Sequence, residues 1–575
     1  MLQWVAATLI ALLLSPAIAR AEEPDIAIRG LNDEQQGNVR AFLSLLQEKC
    51  QSPAWRIEKL FAKSDSEIKK ALKALGYYRP EISKQLHFGE ACWQAEFDIK
   101  AGEPVKVAKI NVTIRGEAEQ DTIFQRYLQN LPLQRGDTLN HGRYEKIKQD
   151  LESLALEHGY LRHKFIKKSL RVNTDTSQAD IELIFDSGPR FQFGDIKINQ
   201  DILDPVFVHR YLSIASDDYY SSKQLAKTYN ALVDSLYFRN VEIKPQMDLA
   251  EDNRVPVAID LTPAKRHAYS VGVGFATDIG PLGSLGYQNR RINRRGHHFS
   301  LDLAASPVLS SAEGQYMIPY KHYRNDYVSL GAGYKLEQPN SFESEEAKLS
   351  LQQQHVYENG WRQNLFLDLS YETFTIGDVT QSTTLLVPGG RWQFTRSNNA
   401  LRPTQGYHVN FSFAAAPETF ISDANFVQAT AYGKLINSLP WSARLITRAS
   451  LGATLTDNFD RLPTSYRFYA GGTETIRGYQ YKELGPTNAQ GDVIGGKMLT
   501  VASFEYEQFL SESWGIAAFV DAGNAYNIED ITIKTGVGLG LRWVSPIGPI
   551  RLDFAVPLNE SDSSFQFHFA AGAQL

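Results

Sequence analysis

Cysteine and methionine are scarce in the 575-residue chain: two cysteines, Cys50 and Cys92, and four methionines. So little cysteine excludes a scaffold built on disulfides. Excess basic charge is missing as well, with 59 Lys and Arg against 65 Asp and Glu, a formal charge of −6. That balance argues against a nucleic-acid protein, whose affinity comes mainly from basic side chains that neutralise phosphates. Long apolar runs are absent beyond the first residues, which leaves no candidate for a membrane-spanning helix there. Abundant instead are glycine (41), tyrosine (27) and phenylalanine (30), with 43% hydrophobic residues overall. Such a chain is too apolar for disorder and too long for one ordinary domain.

The single apolar run, Val5 to Leu14, is followed by Ser15-Pro16 and the small-residue pattern Ala19-Arg20-Ala21. It is shorter than the roughly 20 residues a spanning helix needs, so residues 1–21 are expected to be a cleaved secretory signal. The start lacks the usual Lys or Arg, and an uncleaved anchor is the alternative. Export implies an oxidising compartment, where Cys50 and Cys92 are expected to pair. Without further apolar runs the mature chain is either a soluble secreted protein or a membrane protein that spans as a closed β-barrel, which needs only alternating hydrophobicity.

Residues 22–263 mix helical and strand patterns and are internally repetitive. Asp65 to Leu75 and Tyr144 to His158 place apolar residues at helical spacing. Leu72 to Gly76-Tyr77-Tyr78 recurs in style at Leu154 to Gly159-Tyr160-Leu161 and at Leu232 to Leu236-Tyr237-Phe238. The ends of the repeats match too, at Ile99-Lys100-Ala101-Gly102, Asp186-Ser187-Gly188-Pro189 and Leu261-Thr262-Pro263. Each unit reads β-α-α-β-β, over residues 22–105, 106–188 and 189–263. This order, and the helix, Gly-Tyr, strand signature, resemble the POTRA domain, the periplasmic polypeptide-binding module of Omp85 proteins.

From Ala264 to Leu575 the pattern alternates with period two, as in Tyr269-Ser270-Val271-Gly272-Val273-Gly274-Phe275 and Phe565-Gln566-Phe567-His568-Phe569. A soluble antiparallel sandwich alternates as well. The aromatic weight of the apolar face, and segments long enough for the 9–11 residues of a tilted membrane strand, favour a transmembrane antiparallel β-barrel. Sixteen strands suit this length, and fourteen or eighteen fit nearly as well. The terminal residues Phe565, Phe567, Phe569, Ala571, Ala573 and Leu575 share one face, so the chain is expected to stop inside its last strand.

Asp457 to Lys497 lacks sustained alternation and is rich in Gly, Pro, Thr and Asn. A loop of that length is usually functional or disordered. It contains Gly471-Gly472-Thr473-Glu474-Thr475-Ile476-Arg477-Gly478-Tyr479, and Ile476-Arg477-Gly478-Tyr479 is similar to the (V/I)RG(Y/F) motif of the sixth extracellular loop of the Omp85 superfamily. Phe519-Val520-Asp521 is similar to its F-x-D strand motif, with Glu505 on the strand before. Leu541 to Asp553 resembles its penultimate hairpin, and Asn399 to Tyr407 its P-x-x-G turn. The resemblance implies that the loop folds back into the barrel lumen and that Arg477 meets Asp521 and Glu505 beside Phe519, with Ile476, Gly478 and Tyr479 completing the lock. Arginine suits such a place, because its planar fork holds two carboxylate oxygens and stays charged.

Three POTRA units ahead of a barrel most resemble the TamA group, the outer-membrane subunits of the translocation and assembly module. The resemblance implies an outer-membrane location in a Gram-negative bacterium with the POTRA units in the periplasm. It further implies insertion or secretion of autotransporter-type β-barrel substrates without ATP, and a TamB-like periplasm-spanning partner anchored in the inner membrane. The lateral gate would be a seam between the first strand (Tyr269, Val271, Gly272, Val273, Gly274) and the last (Phe567, Phe569, Gly572, Leu575). A two-partner-secretion export pore for one dedicated protein is the alternative. Gly536-Val537-Gly538-Leu539-Gly540 precedes strand text rather than a helix, so its glycines are expected to relieve crowding inside a barrel. His158, His163 and the His297–His298 pair lack metal-site spacing. No nucleophile, base and orienting partner assemble, so no enzyme, cofactor or metal is expected.

Overall fold

The computed structural model describes residues 24–320, 326–399, 402–419, 421–546, 548–560 and 565–571. The expected signal segment, Gly572 and Leu575 lie outside the described residues. The chain forms two compact units: one holds the first two repeats with part of the third, the other the remainder of the third with the barrel.

The first repeat runs β1 (Asp25–Arg29), α1 (Asp33–Phe42), α2 (Ala54–Ala74), β2 (Glu81–Phe88), β3 (Trp93–Lys100). The second runs β4 (Lys106–Arg115), α3 (Thr122–Gln129), α4 (His141–Glu157), β5 (Lys164–Asn173), β6 (Gln178–Asp186). The third runs β7 (Gln192–Asn199), α5 (Pro205–His209), α6 (Ser222–Val233), β8 (Phe238–Pro245), β9 (Arg254–Pro263). In each, the last strand lies centrally, giving orders β1-β3-β2, β4-β6-β5 and β7-β9-β8. Helix α2 begins well before Asp65, because Ile57, Ser64, Ile68 and Leu72 continue one buried stripe. Cys50 and Cys92 are joined in a disulfide within the first repeat, their Cα atoms 4.8 Å apart.

The Gly-Tyr corners have a definite geometry. Gly76 sits at φ +93°, Tyr77 N donates to Leu72 O at 3.0 Å and Gly76 N to Lys73 O at 3.0 Å, a Schellman closure of α2 that satisfies its last carbonyls. Gly159 (φ +86°) repeats it, with Tyr160 N on Ala155 O at 2.8 Å. The corners also anchor the start of the next repeat: Val105 N donates to Gly76 O at 2.9 Å and Phe191 N to Gly159 O at 2.8 Å. In the third repeat Leu236 takes the left-handed backbone instead, at φ +66°, which is costly for a residue with a side chain. There the buried Tyr237 hydroxyl donates to Gly296 O at 2.6 Å, in a turn of the barrel.

The remaining strands close into a sixteen-stranded antiparallel barrel in which neighbours in sequence are neighbours in the sheet. They are β10 (His267–Ala276), β11 (Gly280–Asn289), β12 (His298–Ala305), β13 (Leu309–Pro319), β14 (Tyr327–Glu337), β15 (Glu343–Val356), β16 (Arg362–Ile376) and β17 (Val379–Ser397). Then come β18 (Gly406–Ala416), β19 (Phe426–Leu439), β20 (Ala443–Leu455), β21 (Met498–Phe509), β22 (Trp514–Tyr526), β23 (Lys534–Ser545), β24 (Gly548–Pro557) and β25 (Gln566–Ala571). Outward positions carry apolar side chains left exposed, such as Leu349, Leu351, Phe411, Phe413, Phe504 and Leu539. A belt of that kind is stable only against lipid. β16 and β17 pair continuously from Arg362–Gln393 to Ile376–Val379, and among the described residues β10 and β25 share one registered pair, Ala276 with Ala570.

Candidate functional site

Residues 456–497, between β20 and β21, occupy the barrel interior. Three glycines let the chain turn there, Gly471, Gly472 and Gly478, at φ of +101°, +95° and +99°. The turn buries Ile476 and Tyr479 among Phe468, Leu484, Val501 and Ala525. It aims Arg477, 2% exposed, at the wall formed by β21 to β24.

Arg477 donates from Nε to Asp521 Oδ2 at 2.7 Å and from Nη2 to Asp521 Oδ1 at 3.0 Å, a bidentate fork, and its backbone N–H reaches Asp521 Oδ2 at 3.1 Å. Its Nη1 donates to Glu505 Oε2 at 2.7 Å and to Asp553 Oδ2 at 3.1 Å. The guanidinium lies 3.4 Å from the centre of the Phe519 ring, an arrangement the ring's quadrupole favours. Arg542 makes a second set, to Glu507 at 2.7 Å, Asp553 at 2.6 Å and Glu505 at 2.5 Å. Arg444 binds Glu507 at 2.5 Å, and Arg448 reaches Ser503 Oγ at 3.1 Å. Arginines 444, 448, 477 and 542 thus face Glu505, Glu507, Asp521 and Asp553, and the buried cluster is neutral. Paired in this way, the charges recover through geometry what burial takes from them.

The wall makes room with glycines on β23. A Cβ on Gly536 would sit 1.8 Å from Arg477 O, one on Gly538 2.3 Å from both Phe519 Cζ and Phe554 O, and one on Gly540 2.0 Å from Asp553 Oδ1. Crowding against the lumen cluster accounts for all three.

The loop is tied at four further places. Thr473 donates from N and Oγ1 to Asp278 Oδ2, at 2.9 and 2.5 Å, in the turn between β10 and β11. Gly478 N donates to His568 Nε2 on β25 at 3.0 Å. On the opposite wall, Tyr481 and Lys482 bind Glu337 at 3.1 and 2.5 Å, and Thr464 binds Glu372 at 2.6 Å. One segment therefore grips both sides of the β10–β25 junction. Because Nε2 of His568 accepts, its ring proton sits on Nδ1. Replacing His568 with Leu leaves the Gly478 N–H buried without an acceptor, a cost of about 1–3 kcal/mol. Protease cleavage within residues 456–497 is expected to rise while the barrel keeps its heat-modifiable mobility; unchanged cleavage would remove His568 from the set of ties.

At the junction itself, Tyr269, Val271 and Val273 are strongly exposed on the outer face, with Gly272 and Gly274 at the alternate positions of β10. On β25, Phe567 points outward, and the Phe569 and Phe275 rings lie 5.7 Å apart. Beyond Ala276–Ala570 the strands add Thr277 N to Phe569 O at 3.2 Å and Phe569 N to Thr277 Oγ1 at 2.7 Å. Sequence reasoning grouped Arg477, Glu505, Phe519 and Asp521 but assigned no role to Arg444, Arg448, Glu507, Arg542, Asp553, Asp278 or His568. The available signal was phase: Ser503, Glu505 and Glu507 alternate with Phe504 and Tyr506, which places two carboxylates on the face turned away from lipid.

Residues 264–574 match the Omp85 superfamily domain, and residues 25–101 match POTRA domain TamA domain 1. The chain is 26% identical over 404 residues to the outer membrane protein assembly factor BamA of Nitratidesulfovibrio vulgaris, covering 65% of this chain and 50% of that protein. It is 21% identical over 476 residues to BamA of Neisseria meningitidis serogroup B, covering 70% and 58%. The chain thus spans little more than half the length of these curated relatives. The crystal structure of Haemophilus ducreyi BamA lacking POTRA domains 1–3 superposes with a TM-score of 0.67 at 16% identity, covering 81% of this chain and 99% of that one, and shares the fold.

Proposed function

The chain belongs to the Omp85 superfamily, with its barrel in the outer membrane and its POTRA units in the periplasm, and from that premise we propose that it inserts or secretes autotransporter-type β-barrel substrates through the β10–β25 seam. The observation that carries the reading is that β25, described over six residues, meets β10 at one registered pair among the described residues. An unpaired strand edge offers N–H and C=O groups in register, so an incoming strand can add to it and later leave for lipid. Exchange of one ladder for another needs no ATP. The POTRA sheets, each with exposed outer strands, would hold extended chains in the same way, and the first unit would meet a TamB-like protein anchored in the inner membrane.

A lumen filled by residues 456–497 favours insertion over the alternative of an export pore for one dedicated protein. The test is reconstitution of the full chain in liposomes with a urea-unfolded autotransporter barrel. Substrate is expected to become heat-modifiable and protease-protected faster than in empty liposomes, with little conductance in planar bilayers. Equal insertion rates would sink the proposal, and large steady conductance would transfer the chain to the export class.

A further inference from the structure

The turn between β11 and β12, residues 290–297, carries Arg290, Arg291, Arg294 and Arg295. It lies at the rim where the chain enters the barrel, since Asn289 pairs with His267 at the start of β10, and that rim is periplasmic. Among the described residues no carboxylate pairs with any of the four guanidinium groups, and Arg290 Nε and Arg291 Nη1 are buried without a partner. Unanswered buried donors are costly, and four adjacent like charges repel one another besides. Asp204, whose backbone N–H donates to Arg294 O at 2.8 Å, spends its own carboxylate on Val206 N at 2.9 Å.

The turn is nevertheless rigidly built. Asn293 Oδ1 accepts from Arg295 N at 3.0 Å and from His297 N at 3.3 Å. Tyr237 holds Gly296 from the buried side, and a Cβ at Gly296 would lie 2.3 Å from the Phe207 ring. Arg266 ties the start of β10 to the turn through Ile292 O at 3.2 Å. Directly beside it, Tyr269 and Tyr287 (5.3 Å), His267 and Tyr287 (5.9 Å) and Tyr287 and Phe299 (6.4 Å) form an aromatic cluster. Beyond the cluster come the exposed Val271, Val273, Leu285 and Leu303. Aromatic girdles mark the level of lipid headgroups, so the arginines stand where the phosphates of the periplasmic leaflet lie.

We propose that this turn is a binding site for an anionic phospholipid, the arginines clasping its phosphate next to the seam. Arginine forks match phosphate oxygens, and a basic cluster at a membrane surface gains with each residue. The inference goes beyond the assembly role and needs only a barrel in the membrane.

Native mass spectrometry of the delipidated full-length protein in neutral detergent tests it, with dioleoyl phosphatidylglycerol, dioleoyl phosphatidylethanolamine and inorganic phosphate as probes. The wild type is expected to prefer the glycerol lipid by at least about tenfold, and R290Q/R291Q/R294Q/R295Q to lose that preference. A control with Lys49, Lys59, Lys69 and Lys70 changed to Gln should keep it, and heat-modifiable mobility should show all three proteins folded. The proposal is overturned by an unchanged preference in the arginine variant, by no preference in the wild type, or by displacement of the lipid by inorganic phosphate.

Discussion

A disulfide placed across Ala276 and Ala570 is expected to stop substrate assembly when oxidised and to restore it when reduced. These two residues are direct partners in the ladder, and opposite residues in antiparallel strands hold their Cα atoms about 4.5–5.5 Å apart, within the span a disulfide bridges. The native pair is already joined and the described residues hold no free cysteine, so an oxidant acts on the engineered pair alone. Among the described residues the seam holds one registered pair, and under the proposed mechanism a covalent bond there removes its freedom to part while every other strand contact stays. The oxidised protein should therefore keep its heat-modifiable mobility and its membrane location. Full assembly activity in the cross-linked protein would show that substrates do not pass between β10 and β25. A second pair across β16 and β17, for instance Leu369 with Leu386, which are registered partners, should leave activity unchanged and so separates loss of seam motion from a general effect of cross-linking.

The seam was only half visible in the sequence. Tyr269 to Phe275 alternates as cleanly as any interior strand, and nothing in that pattern tells an edge from a paired neighbour. What did mark it was position, first and last in a barrel that must close on itself. The repeats were legible because Gly76-Tyr77 and Gly159-Tyr160 perform one backbone task, and a left-handed residue after a helix favours glycine. The third repeat was fainter for the same physical reason: Leu236 does that task without the glycine. In the lumen, Arg477 was found through its short motif, and Asp521 and Glu505 through motifs on neighbouring strands. Asp278 and His568 escaped because hydrogen bonds join them to residues far along the chain, and no periodicity encodes such a partnership. Arg542 and Asp553 lay inside a stretch already singled out, but only the closed wall brings both within reach of Glu505 and Arg477.

Replacing Arg477 with Ala should release the loop and impair assembly strongly. The wild-type cluster sets four arginines against four carboxylates; the variant leaves Asp521 without its bidentate partner and the lumen with one uncompensated negative charge. Removing one side of a buried pair costs about 3–5 kcal/mol, and the lost cation–π contact with Phe519 adds to it. The wall cannot collapse to fill the space, because the glycines of β23 are already in contact with the loop backbone and with their neighbours. The remaining ties, to Asp278, His568, Glu337 and Glu372, then bear on a loop whose centre is repelled, so protease sensitivity within residues 456–497 should rise sharply. Arg477→Lys should recover only part of the effect, since an ammonium group is a single point charge and cannot span both oxygens of Asp521 while reaching Glu505. Combining Arg477→Ala with Asp521→Asn restores charge balance without restoring the fork. If the double variant regains loop protection but not activity, charge keeps the loop in the lumen and the fork sets its working geometry. Wild-type activity and protease resistance in Arg477→Ala would remove the residue from the mechanism altogether.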